Sequence, residues 1–529
     1  MLNYDPLLVA LAATALLLMS TVRYMLSDYR RMPPGPRPLP FIGNTHQVPA
    51  IKPWWTFEKW NKQYGPVVSL WLGRTPVIVL GTAQAAWDLL DKRSDIYSSR
   101  PRFVVAGEIL SNNMRGLMLP YGDAWRRWRK VLHSGFHSRM AETYTPVQSL
   151  EGKVAMLDML TNPNQWERNF RRYAASVVTS VTYGRRVNSI DEWIVKENIA
   201  AMDYLMSVNI PGKYLVESWP WLLNLPRSLQ WFRREPEAYK QRDITLYKTL
   251  LDDVKTRMAD GTAPDCLTAQ TLLNEGFVPG DESAKIGRTL SELDIAYAVS
   301  SPFGAGIDTT AGTLSSFVLA MLHFPEVQAK AQEELDSVIG PSRMPDYEDK
   351  DSLPYIHAVV NETLRWKPVA VLGGTAHAVT ADDEYKGMFI PKGSSVFANL
   401  AGMMRDPELF PSPDEFIPER FFPSSRLFNP RLAPFDLPFG FGRRVCPGAH
   451  LARNSLFISI ARVLWAFNIR PALDKKGREI LPDTMNYTNG FNSFPVSFQC
   501  KFEPRSAEVM QIIRREGDAA LSELNTRWS

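Results

Sequence analysis

The sequence has 529 residues, of which 45% are hydrophobic and 22% are charged, as in an ordinary globular protein with a large core. Its formal net charge of +4 is mild and gives no indication of nucleic-acid binding. Cys266, Cys446 and Cys500 lie far apart and are odd in number, which excludes a readable disulfide framework and a zinc-binding spacing.

The first predicted element is a membrane anchor. An uncharged run of 17 residues, PLLVALAATALLLMSTV, lies between Asp5 and Arg23, close to the shortest helix that spans a bilayer. A cleaved signal peptide is the alternative, but no base precedes the run and no A-x-A site follows it. Arg23, Arg30 and Arg31 predict that the chain beyond the anchor is cytosolic. The predicted division is an anchor with its basic flank over residues 1–31, followed by one domain over residues 32–529.

Proline and β-branched residues define the next elements. The prolines between Pro33 and Pro40 predict a stiff extended connector. The segment VVSLWLGRTPVIVLG places two β-branched runs on either side of Gly73 to Pro76, which predicts a hairpin.

The rest of the chain is predicted to be mostly helical. Helical patterns predominate from Ala83 to Gly340, and short strand patterns return from Asp382 to Asn399. The segment NYTNGFNSFPVSFQCKF predicts a final hairpin with Asn489 and Gly490 at its turn. The expected fold class is therefore mainly α, with a smaller β-rich subdomain.

One cysteine has unusual surroundings. Cys446 lies in the segment LPFGFGRRVCPGAHLA, where a helix is expected to begin near Gly448. A thiol there could be a nucleophile, a metal ligand or a buried apolar group. Nearby glycines permit close approach to a flat group, and two arginines supply positive charge. A nucleophilic cysteine needs a histidine base, and His450 has no further partner constellation.

The pattern around this cysteine resembles the haem-binding signature of the cytochrome P450 family. Phe439-x-x-Gly442-x-Arg444-x-Cys446-x-Gly448 matches every fixed position of that signature. The resemblance implies that Cys446 is the axial thiolate ligand of haem iron, and that the domain has the cytochrome P450 fold.

Three further segments match family motifs. In NETLRWKP, Glu362 and Arg365 lie one helical turn apart, a spacing that alone is more typical of a surface pair. In FIPERFF, Arg420 occupies the position of a third member. The resemblance implies a buried structural charge network of Glu362, Arg365 and Arg420 behind the haem.

The segment SSPFGAGIDTTAGTL resembles the long central helix of the family. The resemblance assigns proton delivery to Asp308 and Thr309, and it implies that neighbouring small residues leave room for dioxygen. Pro302 departs from the pattern, since proline removes a helical hydrogen bond. Either the helix is kinked, with a wider groove, or it begins later.

The segment YGDAWRRWRK matches a fourth motif. The resemblance implies that Trp125 and Arg129 reach the haem propionates, with Arg444 as a further cation and His377 at a position that serves the same task in many relatives. The alternative for Trp125 and Arg129 is an amphipathic helix with a solvated basic face.

The resemblance is closest to membrane-bound fungal members and covers nearly the whole chain. It implies a monooxygenase that inserts one oxygen atom from O2 into a lipophilic small molecule, such as a terpenoid, polyketide or alkaloid of fungal secondary metabolism. It further implies haem as cofactor, electrons from NADPH through a membrane-bound cytochrome P450 reductase, and a single-pass anchor in the endoplasmic reticulum membrane.

Two other functions remain compatible with the motifs. One is an isomerase or dehydratase of the same fold that needs no reductase, and the other is a non-catalytic haem-binding membrane protein. The segments expected to contact substrate are mostly apolar and comprise residues 103–119, residues 204–222 and positions near Phe303, Val371, Leu372 and Phe491.

Overall fold

A computed structural model of the chain describes residues 31–40, 42–209, 213–281 and 286–527, together with Leu11, Ala12, Thr14, Ala15, Leu16 and Met19. These six N-terminal residues are helical and exposed. The remainder of the predicted anchor lies outside the described residues, so the anchor stays a prediction. Residues 33–38 form no helix or strand, in agreement with the proline-rich connector.

The described chain is mainly helical. Its helices are α1 Pro53–Tyr64, α2 Ala83–Ala86, α3 Ser94–Tyr97, α4 Asp123–Phe136, α5 Ser138–Thr143, α6 Thr145–Thr161, α7 Trp166–Tyr183, α8 Trp193–Val208, α9 Leu215–Ser218, α10 Arg234–Ala259, α11 Leu267–Asn274, α12 Glu292–His323, α13 Pro325–Val338, α14 Pro354–Trp366, α15 Leu400–Met403, α16 Ala449–Ala466 and α17 Ala507–Arg527. Two π-helical turns, Trp87–Asp91 and Val104–Leu110, interrupt the chain before α4.

The strands form three small sheets. They are β1 Val67–Leu72, β2 Thr75–Leu80, β3 His377–Ala378, β4 Asp383–Tyr385, β5 Met388–Ile390, β6 Ser395–Ala398, β7 Phe467–Leu473, β8 Glu479–Ile480 and β9 Cys500–Pro504. The predicted hairpin is confirmed: β1 and β2 pair antiparallel with Val67 opposite Leu80. The first sheet has the order β1-β2-β6-β3, in which β2 and β6 are parallel. The other two sheets are β4-β5 and β8-β7-β9.

Helix α12 is the centre of the fold. Ser291 caps its N-terminus: its hydroxyl accepts from the Asp294 N–H at 3.2 Å, and the Asp294 carboxylate accepts from the Ser291 N–H at 3.2 Å. The helix continues through Pro302, so the alternative of a later start is wrong. Its apolar residues pack against α7, α10 and α16, which explains why so long a helix is almost fully buried.

The segment predicted as a final hairpin folds differently at its second arm. Two backbone hydrogen bonds close the turn of this segment. The Thr488 N–H donates to the Phe494 carbonyl at 2.8 Å, and the Val496 N–H donates to the Asn486 carbonyl at 2.9 Å. The following strand β9 pairs with β7 instead, with Phe502 opposite Ile469. Burial of Phe502 against the core favours this partner.

Among the described residues, α12 is the one helix long and apolar enough to cross a membrane, and 72% of its most apolar window is buried inside the protein. It is therefore a core helix.

Candidate active site

An internal cavity of about 370 Å³ lies between the middle of α12 and the loop that contains Cys446. Helix α4 and the segment before β3 form further parts of its wall. The structure thus brings together around one space most of the residues predicted from separate motifs. They are Trp125, Arg129, Thr309, His377, Phe439, Arg444, Cys446 and Gly448.

The Cys446 loop is held in a shape that requires glycine. Gly442 has a φ of +54°, and a Cβ there would lie 2.2 Å from the carbonyl oxygen of Leu90. The Cys446 N–H donates to the carbonyl of Phe439 at 2.8 Å, which closes the loop. Helix α16 begins at Ala449, as expected, with Gly448 at its N-cap.

The Cys446 thiol lies deep in the protein but is open to the cavity. Burial raises the pKa of the Cys446 thiol, while a hydrogen bond from the Gly448 N–H and the charge of Arg129 act in the opposite direction. The thiol alone therefore stays protonated to a higher pH than usual. A bound metal cation is the group that converts such a thiol into a thiolate ligand.

A cluster of cations lies beside the thiol without a carboxylate partner. Arg129 donates to the Val445 carbonyl at 2.8 Å, and Arg444 donates to the carbonyls of Ser98 and Leu119 at 2.7 Å each. Burial, followed by the charge of Arg129, lowers the pKa of Arg444 to about 9. Neither arginine forms an ion pair with any described residue. An anion bound here would relieve both their repulsion and their unmet charge.

Arg100 is a member of this cluster that the sequence did not indicate. It is buried, lines the cavity and donates to the carbonyls of Leu117 (3.1 Å) and Thr375. Burial and the charge of Arg444 lower the pKa of Arg100 well below its usual value. In the sequence, Arg100 is visible only as an arginine before Pro101 in a loop. Nothing in that pattern distinguishes a buried arginine from an exposed one.

His377 and Trp125 complete this side of the cavity. His377 Nδ1 donates to the Tyr97 carbonyl at 2.8 Å, and burial, together with Arg100, lowers the pKa of His377 well below 6.5. In the neutral ring Nδ1 carries the proton, so Nε2 can only accept a hydrogen bond. His377 therefore donates to a bound anion only when Nε2 is protonated, and the negative charge of the anion favours that protonation. The Trp125 ring lies under the Arg444 guanidinium at 4.5 Å, and no described residue accepts a hydrogen bond from its buried Nε1–H.

These features match the chemistry of haem. Haem presents two carboxylates, which the unpaired arginines and the orphaned Trp125 Nε1–H can bind. It also needs a flat space beside its iron ligand: a Cβ added at Gly440 or at Gly448 would meet nothing within 4 Å, and both residues line the cavity. Cys446 supplies a single open sulfur, the ligand type that thiolate-bound haem requires.

The middle of α12 lines the opposite wall. Thr309 donates to the Ala305 carbonyl at 2.8 Å, and both residues line the cavity with Gly306. A Cβ on Gly306 would lie 3.3 Å from the Val178 side chain, so this glycine permits close packing of α12 on α7. The small residue at this position thus has a packing role in addition to the expected role of leaving space.

Asp308 lies next to Thr309 in sequence but does not line the cavity. Its Oδ1 is 3.4 Å from Nε of Arg171, a residue of α7 that is 40% exposed. Burial raises the pKa of Asp308, Arg171 opposes this shift, and Asp203 adds to it. The Asp308 carboxylate, one residue before Thr309 in α12, therefore lies near a side chain that reaches solvent.

The three residues of the predicted charge network are in contact and fully buried. Arg365 Nε and Nη2 donate to the two oxygens of Glu362 at 2.8 and 2.7 Å. Arg420 Nε donates to Glu362 Oε1 at 3.3 Å, and the Ile417 N–H donates to the same oxygen at 2.7 Å. Burial lowers the pKa of Arg420, and Glu362 opposes this shift. One carboxylate thus balances two arginines whose remaining donors bind backbone carbonyls.

Comparison with known proteins places this geometry in context. A family model described as Cytochrome P450 matches residues 33–493. Cytochrome P450 monooxygenase 58 of Postia placenta is 38% identical over 510 residues, which cover 96% of this chain and 95% of the relative. Cytochrome P450 monooxygenase fogE of Aspergillus ruber is 36% identical, covering 98% and 95%, and claR of Ampulloclitocybe clavipes is 36% identical, covering 94% and 91%.

Proposed function

Since this chain belongs to the cytochrome P450 family and is a cytochrome P450 monooxygenase, we propose that it inserts one oxygen atom from O2 into a lipophilic small molecule of fungal secondary metabolism. The observation that carries the proposal is the open Cys446 thiol, which shares one cavity with unpaired cations and with the threonine of α12. The apolar character of most other cavity residues, such as Leu132, Phe136 and Val177, supports a lipophilic substrate.

Each cluster of the site has a task in this proposal. Bound haem supplies the one-electron and O2 chemistry. Cys446 would hold the iron through its sulfur. The haem carboxylates would be held by Arg129, Arg444, Arg100 and Trp125, and by His377 when it is protonated. Phe439 closes the Cys446 loop through its carbonyl, and Gly448 leaves the surface beside the sulfur flat and donates its N–H to it.

Proton supply is the task of α12. The reaction consumes two protons and two electrons for each oxygen atom inserted, since the second oxygen atom of O2 leaves as water. Thr309 lines the cavity with its hydroxyl, while the carboxyl of the preceding residue, Asp308, lies outside the cavity lining and 3.4 Å from the partly exposed Arg171. This arrangement supports a proton route from solvent through Asp308 to the Thr309 hydroxyl. Such a route delivers protons without admitting bulk water to the cavity.

Electrons come from a partner protein in this proposal. The sequence has no G-x-G-x-x-G nucleotide-binding motif, which favours a separate NADPH-dependent reductase. Arg126, Arg127, Lys130 and Arg443 are exposed, and the guanidinium groups of Arg126 and Arg443 both lie over the Tyr121 ring. These cations support docking of an acidic partner surface. The test is NADPH consumption and product formation with a purified fungal cytochrome P450 reductase. Product formed without NADPH or reductase would favour the isomerase or dehydratase alternative.

We also propose that residues 1–31 anchor the protein in the endoplasmic reticulum membrane and that residues 32–529 form the cytosolic catalytic domain. The uncharged run over residues 6–22 and the following arginines support this topology. Membrane fractionation of the full chain and of a chain without residues 2–22 tests it. Recovery of the full chain in the soluble fraction would contradict the anchor.

The central test of the function is spectroscopic. The purified, reduced protein with carbon monoxide should show the Soret band of thiolate-ligated haem, and haem should be present at about one per chain. A conservative control is Cys266→Ala, which removes a buried thiol outside the site and should leave the band unchanged. Persistence of the band in Cys446→Ala would overturn the ligand assignment.

A further inference from the structure

Arg115 has hydrogen-bond donors in the cavity wall that the protein does not use. Its Nη2 donates to Asp243 Oδ2 at 2.6 Å and to the Tyr247 hydroxyl at 3.0 Å. Among the described residues, its Nη1 has only the thioether sulfur of Met202 as partner, at 3.8 Å, and its buried Nε–H has none. A guanidinium has five N–H donors, so this buried group keeps two without any acceptor and a third with a weak one.

The groups around Arg115 form a polar cluster in the cavity wall. The rings of Tyr247 and Tyr297 lie 5.6 and 5.9 Å from the guanidinium carbon. The buried Tyr297 hydroxyl and Asp243 Oδ1 also have no hydrogen-bond partner in the part of the chain that the structure describes. Arg115 and Tyr297 line the same cavity as Cys446. Convergent unsatisfied polar atoms in an apolar cavity are typical of a position where a ligand places a polar group.

Charge determines which polar group this position favours. Asp243 is 1% exposed and neutralises Arg115, which is 11% exposed. The charges of Arg242 and Glu197 also act on Asp243, but these two side chains pair with each other at 2.7 Å and together contribute little net charge. A carboxylate placed beside Arg115 would therefore also meet the buried Asp243 carboxylate. A neutral acceptor would gain the unused donors without that repulsion.

We propose that Arg115 is a specificity-determining residue that binds a neutral oxygen acceptor, a carbonyl or hydroxyl oxygen, on the lipophilic substrate. This inference rests on the proposed function and deepens it, since it names the substrate class: apolar molecules that already carry one oxygen function when they reach this enzyme. Tyr297, which has an unused hydroxyl in the same wall, is available to a second acceptor or donor on the ligand.

The test uses three synthetic probes that share an imidazole head and an alkyl tail of the same length. The tail ends in a methyl group, a methyl ketone or a carboxylate, and each set is made in several lengths so that one length reaches the Arg115 wall. The head binds haem iron and shifts the Soret band, while titration calorimetry measures the affinity of each probe independently of that shift.

For the best tail length, the wild-type protein should bind the ketone about tenfold more tightly than the methyl probe, the value of one charged-donor hydrogen bond. The carboxylate should bind no better than the ketone. In Arg115→Met the ketone preference should fall to about onefold. In Asp243→Asn the guanidinium loses its counter-charge, so the carboxylate should become the tightest of the three probes.

Two further variants keep the test decisive. Arg242→Gln removes an exposed arginine beside Asp243 in α10 that does not line the cavity, and it should keep the wild-type order. If Arg115→Met does not fold, Arg115→Lys retains the charge for Asp243 but loses the planar donor set, and it should lose most of the ketone preference.

Failure of this inference differs from failure of the proposed function. A protein without a thiolate haem spectrum contradicts the function. Equal calorimetric affinities of the ketone and methyl probes at every length, or an unchanged order in both Arg115→Met and Asp243→Asn, overturn the role of Arg115 while the spectrum remains.

Discussion

Replacement of Glu362 by glutamine should destabilise the whole fold more than the loss of a surface carboxylate. The Glu362 carboxylate is fully buried and accepts from Arg365, Arg420 and the Ile417 N–H. Among the described residues, Glu362 carries the only negative charge that contacts both arginines, and glutamine removes it. The glutamine NH2 group would also face the N–H donors that the carboxylate now accepts from. Breaking a buried ion pair in this way costs about 3 to 5 kcal/mol.

The size of the thermal shift follows from chain length. An unfolding entropy of about 2.1 cal/mol/K per residue, over 529 residues, gives about 1.1 kcal/mol/K for the chain. Glu362→Gln should therefore lower Tm by about 3 to 5 °C if the domain unfolds as one unit. Differential scanning calorimetry of the haem-loaded protein, at matched scan rates, measures this shift.

The matched control is Asp336→Asn. Asp336 accepts from Arg505 at 2.9 and 2.6 Å with similar two-point geometry, but its side chain is 55% exposed. An exposed pair contributes at most about 1 kcal/mol, so the control should lose about 1 °C or less. Equal Tm values for Glu362→Gln and Asp336→Asn would refute the reasoning that burial makes this network important.

Three further predictions concern the site. Thr309→Ala should keep NADPH consumption but lower the product yield about tenfold, with the balance released as peroxide, because proton supply at the cavity is lost. Coupling, the product formed per NADPH consumed, is measured by assaying both together, and an unchanged ratio would contradict this role of Thr309. The raised pKa of Asp308 means that its carboxyl loses its proton at a higher pH than usual, so coupling should fall as pH rises through that pKa. Asp308→Asn should remove this pH dependence, and an identical pH profile would exclude Asp308 from the route. Arg100→Gln and Arg444→Gln should each weaken haem retention about tenfold, because each removes a cation that pairs with no carboxylate among the described residues. The measurement is the haem absorbance that remains after the protein is diluted. A wild-type value for Arg100→Gln would exclude that residue from binding a haem carboxylate.

Local sequence patterns predicted the elements that local physics controls. The glycine and β-branched residues around Gly73 predicted β1 and β2, because a tight turn and period-two packing are short-range properties. The Cys446 signature was readable because its fixed residues lie close together in sequence and include Gly442, whose positive φ favours glycine. The partner of β9 was mispredicted, because strand pairing depends on which distant surface the strand can bury.

By itself the sequence determined the family, the mainly helical architecture and the identities of the residues that the motifs contain. It could not determine that Arg100 joins Arg129 and Arg444, that Asp308 faces Arg171 instead of the cavity, or that Arg115 is buried against Asp243. Those facts depend on which side chains become neighbours after distant helices pack. The pKa of a buried group is also set by that packing, because burial and neighbouring charges act on the group only in the folded chain. Tertiary structure therefore decided which residues surround each other in the site, and the roles proposed here for cofactor binding, proton supply and substrate contact rest on those surroundings.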